Sequence, residues 1–492
     1  MSPMLALLLA LLALLFGVLR SRKRRHGEPP LVNGWIPHVG KALEFGKDAR
    51  QFLEDHRKKL GDIFTVHIAG RYMTFIMDPL LYPRVIKQGR QLDFHEFSSK
   101  TAPAIFGYRP VALFPGLDEK VHRSFQLLQG DHLGNLTDSM IGNLMLVFRL
   151  DHLNLAGWTS SGLYDFCYSV MFEATVLTIY GRSAANGRHE GMEELRRDFV
   201  RFDAMFPLLA ARVPLCLLGR TKWTRDRLLR WFLPNRVHSW QNTSKFIQYR
   251  REVLDQFERL TDVDKAAHHF TILWASVANT TPATFWTVFH LLTHPEALAM
   301  VRQEVQQVLE RSGIQFHHDM DVALTRDQLD QMLLLDSSIR ESLRLVSASM
   351  NIRLVMEDLT LQVSSQRSIN VRKGDVIALY PPSLHMDPNI YEDPEAFRYD
   401  RFLEVEGQKP VFHKDGQKLK YFLMPFGSGA SKCPGRHFAV NEIKQFVALL
   451  LLYFDLTPEQ PGCPHPYPDP QRAGIGVLQP NVDFRFRLRC RP

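Results

Sequence analysis

A single cysteine in a glycine-rich segment is the residue of this sequence most suited to chemistry. Residues 426–436 read Phe-Gly-Ser-Gly-Ala-Ser-Lys-Cys-Pro-Gly-Arg, and Pro434 sets the φ angle for a helix that begins just after Cys433. Gly427 and Gly429 let the backbone turn tightly and approach a flat ligand. A helix N-terminus favours a thiolate. One thiolate without a second cysteine nearby suits haem iron better than zinc, although a turn with a buried cysteine is the simpler alternative.

Three charged residues upstream could form a buried network. Glu341 and Arg344 lie one turn apart on a predicted helix, so their side chains can pair. The segment 394–402 contributes Arg401 as a second cation. A carboxylate shared by two arginines could be buried without leaving an unpaired charge. Taken alone, however, a Glu-x-x-Arg pair lies on the surface in most proteins.

The long apolar helix predicted around residues 270–282 contains an internal interruption. Pro282 has no N–H to donate to the carbonyl of Ala278, so the helix should open at that point. An opened helix beside a metal would leave room for oxygen and water, whereas the alternative is a buried helix with a simple kink.

With Glu341-x-x-Arg344, the segment 394–402 and the Cys433 loop in this order along the chain, the sequence resembles the cytochrome P-450 superfamily over essentially the whole chain after Pro30. The resemblance implies a mainly α fold with small β sheets, a haem b cofactor with Cys433 as axial iron ligand, and dioxygen as co-substrate. Electrons would come from NADPH through a separate reductase. It also implies cofactor contacts at Phe426, Gly429 and Arg436, and structural roles for Glu341, Arg344 and Arg401.

The sequence departs from the superfamily pattern at three places. The acid–threonine pair that delivers protons to bound oxygen is replaced by Ala278 and Asn279, so Thr280 or ordered water is a candidate for that role. An amide can donate and accept hydrogen bonds but cannot relay a hydroxyl proton. Ser431 stands where a basic residue usually holds a haem propionate, and no Trp-x-x-x-Arg occurs within 121–130. Candidate propionate partners are therefore Arg436 and Lys432.

These departures are similar to those of the sterol 7α-hydroxylases. The oxysterol branch is the nearest resemblance and the cholesterol branch the next, with sterol 12α-hydroxylase and prostacyclin synthase as neighbours. The resemblance implies 7α-hydroxylation of an oxysterol such as 25- or 27-hydroxycholesterol in bile acid and sterol metabolism. The alternatives are cholesterol 7α-hydroxylation, 12α-hydroxylation and isomerisation of an endoperoxide. The implied substrate contacts are Phe106, Trp274, Ala275, Ala278, Ser349, Asn351 and Leu478.

Charge and hydropathy predict a membrane anchor. The chain has 492 residues, a net charge of +8 and five cysteines, which disfavours a disordered or disulfide-rich protein. Residues 3–19 are uncharged and apolar, and a basic cluster follows at once: Arg20, Arg22, Lys23, Arg24 and Arg25. Because so much of the basicity is local, the charge pattern disfavours a nucleic-acid surface on the body. The positive-inside rule predicts a single pass in the endoplasmic reticulum with a cytosolic body, and a cleaved signal peptide is the alternative.

The predicted organisation is an anchor at 3–19, a basic and proline-rich linker at 20–30 and one haem–thiolate domain at 31–492. A β-hairpin is predicted at 62–76 and a last strand at 484–488. Helices are predicted at 192–210, 236–260, 264–292, 295–311, 326–345 and 436–453. A basic face near the cysteine could dock the reductase, or could consist of solvated charges: Lys418, Lys420, Lys432, Arg436 and Lys444.

Overall fold

The computed structural model describes residues 22–36, 38–183, 188–460, 462 and 464–491. Helices account for most of the regular structure. They are Ala42–Lys47 (α1), Ala49–Leu60 (α2), Tyr82–Ile86 (α3), Phe94–Phe106 (α4), Leu117–Arg123 (α5), His132–Asp151 (α6), Leu163–Tyr180 (α7), Met192–Ala204 (α8), Phe206–Ala210 (α9), Thr221–Trp231 (α10), Pro234–Val237 (α11), Lys245–Asp255 (α12), Asp262–Val277 (α13), Thr280–Thr293 (α14), Pro295–Arg311 (α15), Arg326–Gln331 (α16), Leu333–Val346 (α17), Pro381–His385 (α18) and Arg436–Tyr453 (α19).

The strands form small sheets beside the helices, as the sequence predicted. They are Leu31–Val32 (β1), Ile63–Ile68 (β2), Arg71–Ile76 (β3), Leu92–Asp93 (β4), Thr159–Gly162 (β5), Asn351–Val355 (β6), Leu359–Gln362 (β7), Ser368–Val371 (β8), Val376–Leu379 (β9), His413–Lys414 (β10), Gln417–Lys418 (β11), Phe454–Pro458 (β12) and Arg485–Cys490 (β13). The largest sheet has the order β1-β2-β3-β9-β6-β4, and β12-β13-β5 forms a second. The predicted hairpin is β2–β3, in which Ile63 faces Ile76.

The core surrounds a central helix that is buried on every side. Each residue of α14 from Thr280 to Leu292 is buried, as expected for a helix enclosed by others. It packs against α7, α17 and α19, and α6 packs against α7 and α19. Two of the predicted helices, 295–311 and 436–453, have the expected bounds. This bundle fixes the position of α17, which carries the charged network, and the position of α19, which follows the cysteine.

Four predicted helices are shorter or divided, and one of them, 264–292, divides after Val277. The 192–210 helix stops at Ala204, and α9 begins with Pro207 in its first turn. The 236–260 helix is reduced to α12, because Gln241 exchanges two backbone hydrogen bonds with Arg182, both of 2.8 Å. The 326–345 helix divides at Met332. Periodicity continues across such interruptions, so spacing alone could not locate them.

The part of the predicted linker that the structure describes is bound to the body. Arg22 pairs with Asp375 at 2.6 Å, and Glu28 pairs with Arg372. No helix among the described residues is long and apolar enough to cross a membrane. The predicted anchor at 3–19 lies outside the described residues.

Because two carboxylates are buried in ion pairs, we expect the protein to lose stability in acid. Burial disfavours their charged forms, but Arg372 holds the pKa of Glu28 at about 2 and Arg109 holds that of Asp264 at about 2. Their stabilising contribution is complete above the ordinary carboxyl pKa and disappears as the pH falls through about 2. We expect each to contribute about 1–2 kcal/mol after allowance for solvent screening. Thermal unfolding measured from neutral pH down to pH ~2 should show the fall, because protonation begins below the ordinary pKa.

The Asp264→Asn variant provides the control for this pH dependence. It should be less stable than wild type at neutral pH, and its stability should change less in acid. Asp330→Asn removes an exposed carboxylate that is 3.9 Å from Arg326, and it should leave the profile unchanged. Equal acid profiles for wild type and Asp264→Asn would refute the role of this ion pair.

Candidate functional site

The loop before α19 has the geometry that the cysteine motif predicted. Gly427 and Gly429 have φ angles of 75° and 58°, in the region that favours glycine. A Cβ on Gly429 would lie 2.8 Å from Cγ2 of Ile86, so a side chain would not fit there without a shift. The backbone N–H of Cys433 donates to the carbonyl of Phe426 at 2.8 Å, which closes the loop. Cys433 is thereby fixed three residues before the start of α19.

Opposing effects act on the pKa of the Cys433 thiol, and burial is the larger of them. Burial raises its pKa, while hydrogen bonding by the Gly435 and Arg436 N–H groups and the charge of Arg436 act to lower it. Arg436 also donates to the Cys433 carbonyl at 3.0 Å. The described residues contain no group of three His, Cys, Asp or Glu side chains that could hold a metal ion. A single thiol at the end of a glycine-rich loop fits a metal whose other ligands are supplied by a cofactor, as in haem.

A buried arginine that the sequence analysis missed lies against this loop. Arg353 is 3% exposed and donates to the Ser428 carbonyl at 3.0 Å and to its hydroxyl at 3.2 Å. Burial lowers its pKa, and no carboxylate among the described residues pairs with it. A buried cation beside the cysteine loop could hold a haem propionate better than exposed Lys432 could. No signal in the sequence pointed to it, because alternation in β6 would bury Ile352 and Leu354, whereas the structure buries Asn351, Arg353 and Val355.

Glu341, Arg344 and Arg401 meet in one buried charged network. The Glu341 carboxylate accepts two hydrogen bonds of 2.8 Å from Arg344 and one of 2.9 Å from Arg401. The Glu341 and Arg344 side chains are fully buried, and that of Arg401 is 6% exposed. Arg344 also donates to the carbonyls of His385 and Pro394. The network fastens α17 to the segment before the cysteine loop.

The central helix opens where Pro282 predicted. α13 ends at Val277 and α14 begins at Thr280, with Ala278 and Asn279 between them. The Asn279 side-chain oxygen accepts a hydrogen bond of 3.0 Å from the backbone N–H of Val477. Gly476 has a φ of +126°, and a Cβ there would lie 2.0 Å from that oxygen, so the approach requires glycine. Only the Asn279 amide N–H₂ is left to face another group.

Backbone and side-chain contacts connect the helix break to the cysteine loop. Gly476, beside Asn279, accepts from the N–H of Ala348 at 2.7 Å. The Ser349 hydroxyl donates to Pro425 at 3.4 Å, and the Ser428 hydroxyl bonds the Asn351 oxygen at 3.0 Å. Ser349 and Asn351 were predicted substrate contacts. In the structure the Ser349 hydroxyl and the Asn351 oxygen bond the segment 425–428, and the buried Asn351 amide nitrogen has no partner among the described residues.

Aromatic rings form a wall beside the break. Trp274 stacks on Phe206 with ring centres 3.8 Å apart and planes at 12°. Phe106 contacts Trp274 at 5.8 Å and Phe270 at 5.6 Å. Ala275 is exposed although Leu273 and Val277 are buried, so it faces open space next to the break. The structure thus brings the predicted contacts Phe106, Trp274 and Ala275 together.

Two other predicted residues lie at the edges of this region. Leu478 is half-buried, and its carbonyl accepts from the Trp286 indole N–H at 2.7 Å. Thr280 is 6% exposed at the start of α14. Each is held by α14, on the side of the break away from Trp274.

The predicted basic face needs one correction. Lys418, Lys420 and Lys432 are exposed, but Lys444 is only 4% exposed, pairs with Asp336 at 3.1 Å and donates to the Leu329 carbonyl. Because α19 is enclosed by other helices, a lysine in its middle points into the protein. Lys444 therefore does not belong to a docking surface.

Comparison with known proteins decides the family. The cytochrome P450 family model matches residues 29–486. This chain belongs to the cytochrome P450 family.

Those similar proteins whose names state a substrate act on sterols. The chain is 40% identical over 495 residues to cytochrome P450 7B1 of Mus musculus, covering 98% of this chain and 96% of that protein. It is 41% identical over 478 residues to cytochrome P450 7A1 of Oryctolagus cuniculus, covering 96% and 95%. It is 38% identical over 415 residues to 25-hydroxycholesterol 7-alpha-hydroxylase of Rattus norvegicus, covering 84% and 99%. The resemblance to sterol 7α-hydroxylases is therefore confirmed.

Proposed function

We propose that this P450 is a haem–thiolate monooxygenase that hydroxylates an oxysterol, 25- or 27-hydroxycholesterol, at the 7α position. The observation that supports it most is the flat wall formed by Trp274 and Phe206 directly before the helix break. A sterol is rigid, flat and almost wholly apolar, and such ligands fit cavities lined by aromatic rings. The similar 7-alpha-hydroxylase of Rattus norvegicus supports the reaction and the position.

The chain's own residues would divide the work as follows. Cys433 would ligate the iron, Arg353 would hold a propionate, and Gly427 and Gly429 would keep the loop close to the ring. Bound haem would supply the activation of dioxygen, with one oxygen atom entering the allylic C–H bond at carbon 7 and the other reduced to water by two electrons from NADPH. Phe106 and Trp274 would hold the sterol and exclude water.

The proton route would differ from the acid–threonine arrangement. Asn279 holds Val477 through its oxygen, so its N–H₂ group would orient water beside the break without itself losing a proton. Thr280, at the start of the next helix, would supply the hydroxyl group that the Asn279 amide lacks. Asn279 thus acts in positioning, and water would carry the proton.

The partners follow from the same proposal. Electrons would come from NADPH through a reductase that docks on the exposed bases Lys418, Lys420, Lys432 and the half-buried Arg436. The endoplasmic reticulum membrane would hold the apolar N-terminal segment and deliver the sterol.

Turnover by the reconstituted full-length protein tests this proposal. With NADPH and NADPH–cytochrome P450 reductase we expect 7α-hydroxylated oxysterol, and without NADPH no product. Faster turnover of cholesterol would favour the cholesterol 7α-hydroxylase alternative, and a 12α product the 12α-hydroxylase alternative. Rearrangement of an endoperoxide without NADPH would refute monooxygenation.

A further inference from the structure

A buried polar cluster lies directly behind the aromatic wall. The Asp203 carboxylate of α8 accepts hydrogen bonds from the Trp274 indole N–H at 2.9 Å and from Gln479 at 2.9 Å. Arg472 donates to this carboxylate at 3.1 Å and to the Asp203 backbone carbonyl at 2.9 Å. Asp203 is 2% and Arg472 6% exposed. One carboxylate therefore binds three side chains in an otherwise apolar region.

Such a cluster is costly unless the charge is fully hydrogen-bonded. Removing an ion pair from water carries a large desolvation cost, which only good geometry and further hydrogen bonds offset. Both Asp203 oxygens have donors here. The Asp203 carboxylate is thus satisfied, whereas the Arg472 Nε has no hydrogen-bond partner among the described residues. The four hydrogen bonds that Asp203 accepts favour one arrangement of the groups around it.

The cluster joins three separate parts of the chain. Asp203 belongs to α8, Trp274 to α13, and Arg472 and Gln479 to the segment 472–479. This segment approaches the helix break at its middle, where Val477 binds Asn279. Its two ends are held by Asp203 and its middle by Asn279, so the predicted substrate contact Leu478 sits on a fixed loop.

The cluster also fixes the orientation of the Trp274 ring. Phe206 stacking sets the plane of the indole, and the hydrogen bond to Asp203 sets its rotation within that plane. A ring held in both ways presents one flat surface, one turn of helix before Ala278. The position of a rigid ligand against this surface would decide which carbon lies nearest the oxygen site.

We propose that Asp203 is a positioning residue that sets the site selectivity of the oxidation by holding Trp274 and the 472–479 loop in one arrangement. The proposal rests on the proposed sterol substrate. Asp203 acts through the wall and the loop and does not touch the reacting atoms.

Two variants disturb the cluster to different degrees. Asp203→Asn leaves Arg472 without its counter-charge, while Trp274→Phe keeps the ion pair and removes only the indole N–H donor. Asp198→Asn is a matched control, because Asp198 is 1% exposed on the same helix and pairs at 2.8 Å with Arg227, away from Trp274. All three are tested as haem-loaded, full-length proteins.

Sterol binding and product distribution give the first readout. Asp203→Asn should raise the sterol dissociation constant, measured by the change in haem absorbance, about tenfold, as expected for loss of a buried hydrogen bond to a charged group. Trp274→Phe should raise it by a smaller factor. Both should give hydroxylation at more than one carbon, with the carbon monoxide spectrum unchanged. Weaker binding with a single product, or equal changes in Asp198→Asn, would overturn the proposal.

Hydrogen–deuterium exchange provides a readout that needs no substrate. The backbone amides of 472–479 should exchange faster in Asp203→Asn than in wild type or Asp198→Asn. Failure of wild type to bind any sterol would refute the proposed function, while this exchange difference would still support the role of Asp203 as a tether. Unchanged exchange in Asp203→Asn would refute the positioning role even if wild type hydroxylates sterols.

Discussion

Replacement of Cys433 by alanine is expected to abolish the red-shifted absorption band that a reduced haem–thiolate protein shows with carbon monoxide. The loop places this one thiol before α19, with the Gly435 and Arg436 N–H groups acting to lower its pKa against burial. No other cysteine lies in the loop. Because thiolate donation produces the band and promotes O–O cleavage, hydroxylation should fall to background as well. Difference spectroscopy of the purified variant measures both the band and the haem content.

Two variants separate loss of the ligand from loss of the fold. Cys433→His offers a nitrogen ligand, so we expect haem retention without the red-shifted band. Cys216→Ser removes an exposed cysteine and should leave the band and activity unchanged. A red-shifted band in Cys433→Ala would show that another residue is the ligand.

Replacement of Glu341 by glutamine should prevent accumulation of folded, haem-loaded protein. It leaves the guanidinium groups of Arg344 and Arg401 buried without their carboxylate. Removing one partner of a buried ion pair costs about 3–5 kcal/mol, a large part of a typical total stability of about 5–15 kcal/mol. The yield of soluble haem protein and its thermal unfolding measure the effect.

A neighbouring pair on the same helix serves as the control. Arg340 pairs with Asp336 at 2.6 Å, but its side chain is half exposed. Arg340→Gln should cost less than about 1 kcal/mol, as exposed pairs do. Equal losses in the two variants would contradict the importance of the buried network.

The features that could be predicted from the sequence depend on local spacing. Pro434 and two glycines define the cysteine loop within a few residues, and Pro282 locates the helix break to one turn. Glu341 and Arg344 share one helical face at a spacing of three. Local stereochemistry determines each of these features, which is why they could be recognised before the structure was known.

The features that could not be predicted depend on contacts between distant segments. Asp203 and Arg472 are 269 positions apart, and Asn279 and Val477 are 198 apart. Lys444 resembles a surface lysine until the other helices are placed around α19. Alternation in β6 would bury Ile352 and Leu354 and expose Arg353, and only the contact with Ser428 connects Arg353 to the cysteine loop. Tertiary packing, which spacing does not encode, decides these roles.

Product analysis with a mixed substrate panel tests the central claim most directly. The reconstituted protein would be offered 25- and 27-hydroxycholesterol, cholesterol and a prostaglandin endoperoxide, with and without NADPH and reductase. We expect a 7α-hydroxylated oxysterol as the main product, formed only when NADPH and reductase are both present. Rearranged endoperoxide formed without NADPH, together with no oxidised sterol under any condition, would contradict the account.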